Sequence, residues 1–245
     1  RGSITKQLVK RFGLDTQSDP QTYGIGIKEL WQLPDDGRVK PGLVQHSIGW
    51  PVDAKLYGGG FIYHMPGNKV SIGFVVGLDY DDPNLVPYEV FQQYKHHPAI
   101  KPLLEGGTII SAGARAIAKG GYQSLPTMDM PGAMVTGCGA GTLNMSKIKG
   151  THTAIRGGML AAEHIIAKGA TEGFDAAFRA SATMKELWKV RNISPGFKKG
   201  LWFALVNAGV ETVLMGYSPW TLKNTADFDK LKKVSDYKAP DRKWV

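Results

Sequence analysis

Cysteine is almost missing from the 245 residues, where Cys138 stands alone. A single thiol excludes an internal disulfide framework, a CxxC redox pair and any cluster needing several thiolates from this chain, and it suits a reducing compartment. Long apolar runs are also missing. Nothing reaches the ~18 uninterrupted apolar residues that a bilayer-spanning helix requires. The opening RGSITKQLVKRFGLD has no apolar centre of the signal-peptide kind, and it reads as the interior of a longer chain, a glycine turn leading into a basic amphipathic helix. Acidic residues are in deficit, 21 Asp and Glu against 30 Lys and Arg, so the surface would draw nucleic acid, anionic lipid or an acidic protein. Repeats and low-complexity segments are absent.

What is present suffices for a folded core. A chain 42% hydrophobic and 21% charged can build one large core or two modest ones. The pattern predicts a helix over 3–12 and a strand from Ile25 to Leu33 that stops at Pro34. Strands within 43–50, 60–65 and 68–78 follow as an antiparallel meander, the last two joined by the turn PGN. Val90, Phe91 and Tyr94 predict a helix over 87–97 before Pro98, and TIISAGARAIA predicts a strand over 108–118. AMVTGC (133–138) reads as a buried strand. Helices over 147–168 and 174–190 come next, then an apolar stretch at 200–217 and a polar tail.

Between that strand and helix lies GCGAGTLNMSKIKG, with Gly137, Gly139 and Gly141 at alternate positions. A dinucleotide fingerprint needs a third glycine where Thr142 stands, and an acid after the next strand, whereas Glu163 falls inside a helix. The P-loop pattern fails as well, because no glycine is followed by Lys and then Ser or Thr. A glycine turn entering a helix at Lys149–Gly150–Thr151 still offers free N–H groups and a positive dipole end to an anionic or electron-rich ligand edge. The alternative is a tight strand-to-helix turn that binds nothing.

Two further stretches carry chemistry. YGGGFIYH (57–64) combines glycines, which let a ligand carbonyl approach a backbone N–H, with the aromatic side chains Phe61 and Tyr63; alone it also reads as a β-bulge at a strand start. His64 reads as a structural histidine, and His96 and His97 lack metal-ligand spacing. In 197–217, Leu201, Trp202, Phe203, Leu205, Val206, Val210, Val213, Leu214 and Met215 form a broad apolar face opposite Asn207 and Glu211, with Lys185, Lys189, Arg191, Lys198 and Lys199 just before. This describes a helix lying in a lipid interface or, equally, a buried core helix.

The run GCGAGTLNMSKIKGTHTAIRGGMLAAE resembles the second FAD-contacting motif of the electron transfer flavoprotein–ubiquinone oxidoreductase family. YGGGFIYH, GFVVGLDYDDPNLVPYEVFQQYKHHPAI, LEGGTIISAGARAIAKGGYQSLP, KELWKVRNISPG and PWTLK resemble that family in order and spacing. The resemblance implies an α+β fold: an antiparallel or mixed quinone-binding sheet packed with the C-terminal part of a glutathione-reductase-like FAD domain, plus a membrane-associated helix. It implies a tail of the first FAD-domain half at 1–20, a quinone-binding sheet at 21–126, a second FAD-contacting strand–loop–helix at 127–170 and a helical membrane segment at 171–245.

By the same resemblance FAD is held by Gly137, Cys138, Gly141, Gly150 and Thr151, with Gly137 and Cys138 near the pyrophosphate and ribityl chain. Ubiquinone meets Gly58, Gly59 and Phe61, and lipid meets Trp202, Phe203, Leu205 and Val206. No protein nucleophile or base is implied and no metal ligand is expected here. The N-terminal FAD fingerprint and a four-cysteine 4Fe–4S domain are expected outside this chain. Partners would be electron transfer flavoprotein, ubiquinone and the inner mitochondrial or bacterial cytoplasmic membrane. Nucleic acid is not expected, since aromatic residues are not interleaved with the basic ones. Alternatives are a FixC-like or geranylgeranyl-reductase-like flavoprotein, or a lipid- and quinone-binding fragment without catalysis. One departure is Ala118, which stands where the family often has an asparagine expected at the flavin.

Overall fold

The computed structural model describes residues 3–236; residues 1–2, the start of the expected FAD-domain tail, and 237–245, which include APDRKWV, lie outside the described residues. In chain order come α1 (Ser3–Phe12), β1 (Tyr23–Gln32), β2 (Val44–His46), β3 (Gly58–Met65), β4 (Lys69–Gly77), α2 (Pro87–Lys95), α3 (Lys101–Leu104) and β5 (Thr108–Ala118). They are followed by β6 (Asp129–Met130), β7 (Ala133–Met134), α4 (Gly137–Ala140), α5 (Thr151–Lys168), α6 (Phe174–Arg179), α7 (Ala182–Lys189), α8 (Ile193–Phe197) and α9 (Leu201–Val213). The fold is mixed α+β. Among the described residues, 24–116 with 227–236 form one compact unit, and 3–23 with 117–226 form another.

The first unit is built on a five-stranded sheet of order β2-β3-β4-β1-β5. Alternation dictates its two faces. Along β3, Gly58, Gly60, Ile62 and His64 are buried, while Gly59, Phe61 and Tyr63 are half-buried on the other side. The antiparallel β3/β4 register pairs Gly60 with Phe74 and Ile62 with Ile72, and β1 pairs antiparallel with β4 from Gly24↔Gly77 to Gln32↔Lys69. Val70, Ile72, Phe74 and Val76 then meet Val90, Phe91 and Tyr94 of α2, which starts with Pro87 in its first turn. Each large side chain buried here contributes about 1.5–3 kcal/mol. β2 is shorter than the predicted 43–50 strand. Backbone hydrogen bonds nevertheless continue past it, Ser47 exchanging N–H and carbonyl bonds with Gly60 and the Gly49 N–H donating to the Gly58 carbonyl at 2.9 Å, until the positive φ of Gly49 (86°) turns the chain away.

The second unit packs Leu125, Met128, Val135, Phe174, Phe178, Met184 and Leu187 into its own core. The predicted strand 133–138 is corrected: β7 holds two residues, paired to β6 around Gly132 (φ 74°), and Gly137 (φ 60°) turns the chain into the single helical turn α4. The predicted helix 174–190 is two helices. Ser181 adopts extended backbone and its hydroxyl accepts the Met184 N–H at 3.3 Å, capping α7. α5 begins at Thr151 rather than 147 and ends at Gly169, whose N–H closes on the Ile165 carbonyl in the left-handed conformation.

Candidate functional site

The glycine segment is closed upon itself. A Cβ on Gly137 would lie 3.1 Å from that of Ala154 in α5, and one on Gly141 (φ 94°) would lie 2.5 Å from the Gln21 amide nitrogen. Gln21 fills the space between two glycines, since a Cβ on Gly120 would meet its oxygen at 2.4 Å. That oxygen accepts the Gly120 and Thr22 N–H groups at 2.8 and 3.1 Å. Gly137 and Gly141 are thus accounted for by packing within the unit, and Cys138 is half-buried. Gly150 sits at the α5 N-cap, and Thr151 is the first helical residue.

Three observations fit this helix start to an anionic or electron-rich group. α5 has no side-chain cap and no acid in its first turn, so its leading N–H groups lack intrahelical partners. Exposed Lys147 and Lys149 flank it. Fully buried Thr142 has a hydroxyl with no hydrogen-bond partner among the described residues, at the end of the glycine turn. Ala118 ends β5 as a buried residue.

Glu186 of α7 ties this segment down. Its Oε1 accepts from Asn144 Nδ2 at 2.8 Å and Lys147 Nζ at 2.9 Å and pairs with His152 Nε2 at 2.8 Å, while Arg156 faces Oε2 at 3.4 Å. Asn144 also exchanges backbone hydrogen bonds with Lys149 and accepts the Lys147 N–H, closing the loop. Burial pushes the Glu186 carboxyl up, but the hydrogen bonds from His152, Lys147 and Asn144 outweigh it and hold its pKa at about 2. Glu186 was invisible as a site residue in the sequence. It lies 30 to 42 residues from the groups it gathers, and no spacing rule connects them.

In the first unit the first two of the three glycines of YGGG are also filled by protein: Val52 would meet a Cβ on Gly58 at 2.7 Å, and the Ser47 carbonyl would meet one on Gly59 at 2.3 Å. Phe61 lies across Gly73 of β4, where a Cβ would be 2.5 Å from the ring. Its ring centroid is 4.8 Å from that of Tyr63, which meets His46 edge-on at 5.7 Å. Half-buried Phe61 and Tyr63 therefore give the outer sheet face an aromatic strip. On the inner face, the Ser47 hydroxyl donates to the Tyr94 oxygen at 3.1 Å. His64 Nδ1 accepts the Lys40 N–H at 3.1 Å, and burial together with the Lys40 charge lowers its pKa, keeping it neutral. Its Nε2 has no partner among the described residues.

α9 is inside out. Ala204, Asn207 and Glu211 are buried, whereas Trp202 is 74% exposed, Val206 69% and Val213 82%, with Phe203 and Leu205 also exposed. Asn192 organises the buried side. Its Nδ2 donates to Glu211 Oε1 at 2.9 Å and Ser218 Oγ at 2.9 Å, and its carbonyl accepts from Asn207 Nδ2 at 3.0 Å. Arg191, grouped by sequence with the exposed cations, is instead buried. It donates to the Trp188, Gly216, Ser218 and Trp220 carbonyls at 2.7–3.0 Å and stacks on Trp188 at 4.0 Å. Among the described residues no helix is long and apolar enough to cross a membrane.

Residues 23–117 match the family described as ETF-QO, ubiquinone-binding. The chain is 43% identical, over 98% of its length, to the mitochondrial electron transfer flavoprotein–ubiquinone oxidoreductase of Homo sapiens, covering 42% of that protein. It is 44% identical over 99% of its length to the Pseudomonas aeruginosa oxidoreductase, covering 47%. The mitochondrial protein of Arabidopsis thaliana is 46% identical over 100% of this chain, with 39% of that protein covered. A flavin-dependent brominase has a similar structure at TM-score 0.53 and 15% identity, over 88% of this chain and 56% of that one. A geranylgeranyl bacteriochlorophyll reductase-like protein from Thermoplasma acidophilum follows at TM-score 0.54 and 14% identity, over 87% and 52%. These structural likenesses speak for the fold alone. Read with the match over the sheet, the sequence identities make the chain a homologue of the electron transfer flavoprotein–ubiquinone oxidoreductases that spans less than half the length of the curated relatives it matches.

Proposed function

We propose that this chain is the quinone-binding middle, with part of the flavin shell, of a flavoprotein that passes electrons from reduced electron transfer flavoprotein to ubiquinone at a membrane surface. The observation that carries the reading is that the ubiquinone-binding family match, 23–117, falls on the sheet whose outer face bears Phe61 and Tyr63. In this reading 21–126 is the quinone sheet, 127–170 the second FAD-contacting segment of a glutathione-reductase-like domain, and 171–245 the membrane segment. The protein would sit peripherally on the inner mitochondrial or bacterial cytoplasmic membrane. A 4Fe–4S cluster would draw its ligands from elsewhere, since Cys138 is the one thiol here.

FAD, when bound, supplies the redox chemistry. The chain's own residues supply position and field. Gly150 and Thr151 would hold the positive end of α5 towards an electron-rich ring edge and would favour negative charge there. Gly137 and Cys138 would approach the pyrophosphate and ribityl chain, with Gly141 beside them and the Thr142 hydroxyl, unpaired among the described residues, as a spare donor. Glu186 holds Asn144, Lys147 and His152 together and so keeps the helix start in place. On the sheet, Phe61 and Tyr63, tilted to each other by 36°, form an aromatic wall suited to a quinone ring. The exposed apolar side of α9, carrying Trp202, Phe203, Leu205 and Val206, would lie in the lipid interface, its polar side being occupied by Asn192.

The first experiment is the visible spectrum of the purified chain with added FAD, followed by titration with a short-tailed ubiquinone. A bound-flavin spectrum and quinone affinity that falls up to about tenfold in Phe61→Ala are expected. Quinone binding unchanged in that variant would remove the outer sheet face from the site.

A further inference from the structure

Five cations precede or flank α9 in sequence, and the structure sorts them. Arg191 is buried under backbone carbonyls, and Lys198 Nζ is bound to the Thr225 backbone and hydroxyl. Lys185, Lys189 and Lys199 are exposed. Two of these three rest on aromatic rings adjoining the apolar side of α9. Lys199 Nζ lies 4.9 Å from the Phe203 centroid near the start of the helix, and Lys189 Nζ lies 5.2 Å from the Tyr217 centroid beyond its end. Phe203 is 41% exposed and Tyr217 62%. Each ammonium is thus held beside a ring that belongs to the exposed apolar surface.

That placement differs from scattered surface lysines. An ammonium over a ring face keeps its charge in water while its methylene stem covers apolar surface. Lysines at the rim of an apolar helix face meet the layer in which phospholipid phosphates lie when that face enters the acyl boundary. Lys185, one helical turn before Lys189 on α7, adds a third positive charge. α9 itself contributes Glu211 as its acid, and that carboxylate is buried and bonded to Asn192, so it does not oppose an anionic surface from the exposed side.

We infer that the α9 surface selects anionic phospholipid, with Lys199 and Lys189 as its two phosphate contacts. The inference rests on the membrane reading above and names the headgroup chemistry. A lysine near an anionic leaflet is worth about 1 kcal/mol, so the pair should strengthen binding by about 30-fold over a zwitterionic surface.

The test is sedimentation of the full 245-residue chain with phosphatidylcholine vesicles and with vesicles containing phosphatidylglycerol, at low and at high salt. The wild-type chain should prefer phosphatidylglycerol by about 30-fold at low salt and lose most of that preference at high salt. Lys189→Gln with Lys199→Gln should lose most of the preference, keeping only what Lys185 supplies, while Lys189→Arg with Lys199→Arg should retain it. Equal wild-type affinity for both vesicles would overturn the headgroup selection and leave the membrane reading standing. Binding to neither would overturn both. An undiminished preference in the double glutamine variant would overturn the assignment to these two lysines.

Discussion

α2 and α9 are amphipathic helices built with opposite polarity. α2 buries Val90, Phe91 and Tyr94 against the sheet and leaves Gln93 exposed and Glu89 half-buried. α9 buries Asn207 and Glu211 and leaves Trp202, Val206 and Val213 outward. The difference teaches that amphipathicity fixes which residues share a face, while the neighbouring element decides which face turns inward. For α2 the neighbour is a row of Ile72, Phe74 and Val76, and for α9 it is Asn192 with its side-chain amide and backbone carbonyl. An unbonded carboxylate or amide left inside would be costly, so a polar inner side requires such a partner.

The sharpest way to test that contrast is to empty the apolar side of α2. Phe91→Ala should destabilise the sheet unit by about 3–5 kcal/mol, read by urea unfolding, because a fully buried ring leaves a cavity. On α9 the corresponding anchor is polar. Asn192→Ala should cost about 1–3 kcal/mol and speed amide exchange in 201–213, since Glu211 and Ser218 lose their donor and the Leu222 N–H its acceptor, while Asn207 keeps the backbone carbonyl; unchanged exchange there would mean that the Asn192 side chain is not what turns the helix. A smaller effect separates the units by pH. Glu186 has a folded pKa of about 2 against an ordinary value of 4.5, so its contribution is full above 4.5 and is lost as pH falls towards 2. Stability of the wild type and Glu186→Gln should therefore differ most at neutral pH and converge between pH 4.5 and 2, in thermal unfolding followed by exchange in 142–189. Least of all, Trp202→Ala should change stability without lipid by no more than about 0.5 kcal/mol. A loss approaching that of Phe91→Ala would show the exposed side of α9 to be core.

Regions with one clear period were legible from sequence. β5 occupies 108–118 and α1 occupies 3–12 as predicted, because strand alternation and helical spacing run through them without competition. The break between α6 and α7 was hidden by helical spacing on both sides of Ser181, and the cap that causes it is a single hydroxyl. The glycines of the 137–150 loop signalled close approach correctly in kind, yet what approaches Gly141 is Gln21, 120 positions earlier in the chain. Long-range polar partners such as Glu186 with Asn144 obey no periodicity, so sequence could supply the residues but not their meeting.

Gln21 carries a consequence for how substitutions combine. Its one amide occupies the space beside both Gly120 and Gly141, so a methyl group at either site must displace the same side chain. Once it has moved, the second methyl meets one obstacle fewer, although one on Gly120 still meets Ser124 at 2.5 Å and Gly141 keeps its φ of 94°, so the two losses should sum to less than their separate values. Genetically, Gly120 and Gly141 should then be coupled, each tolerating change better where the other has already changed.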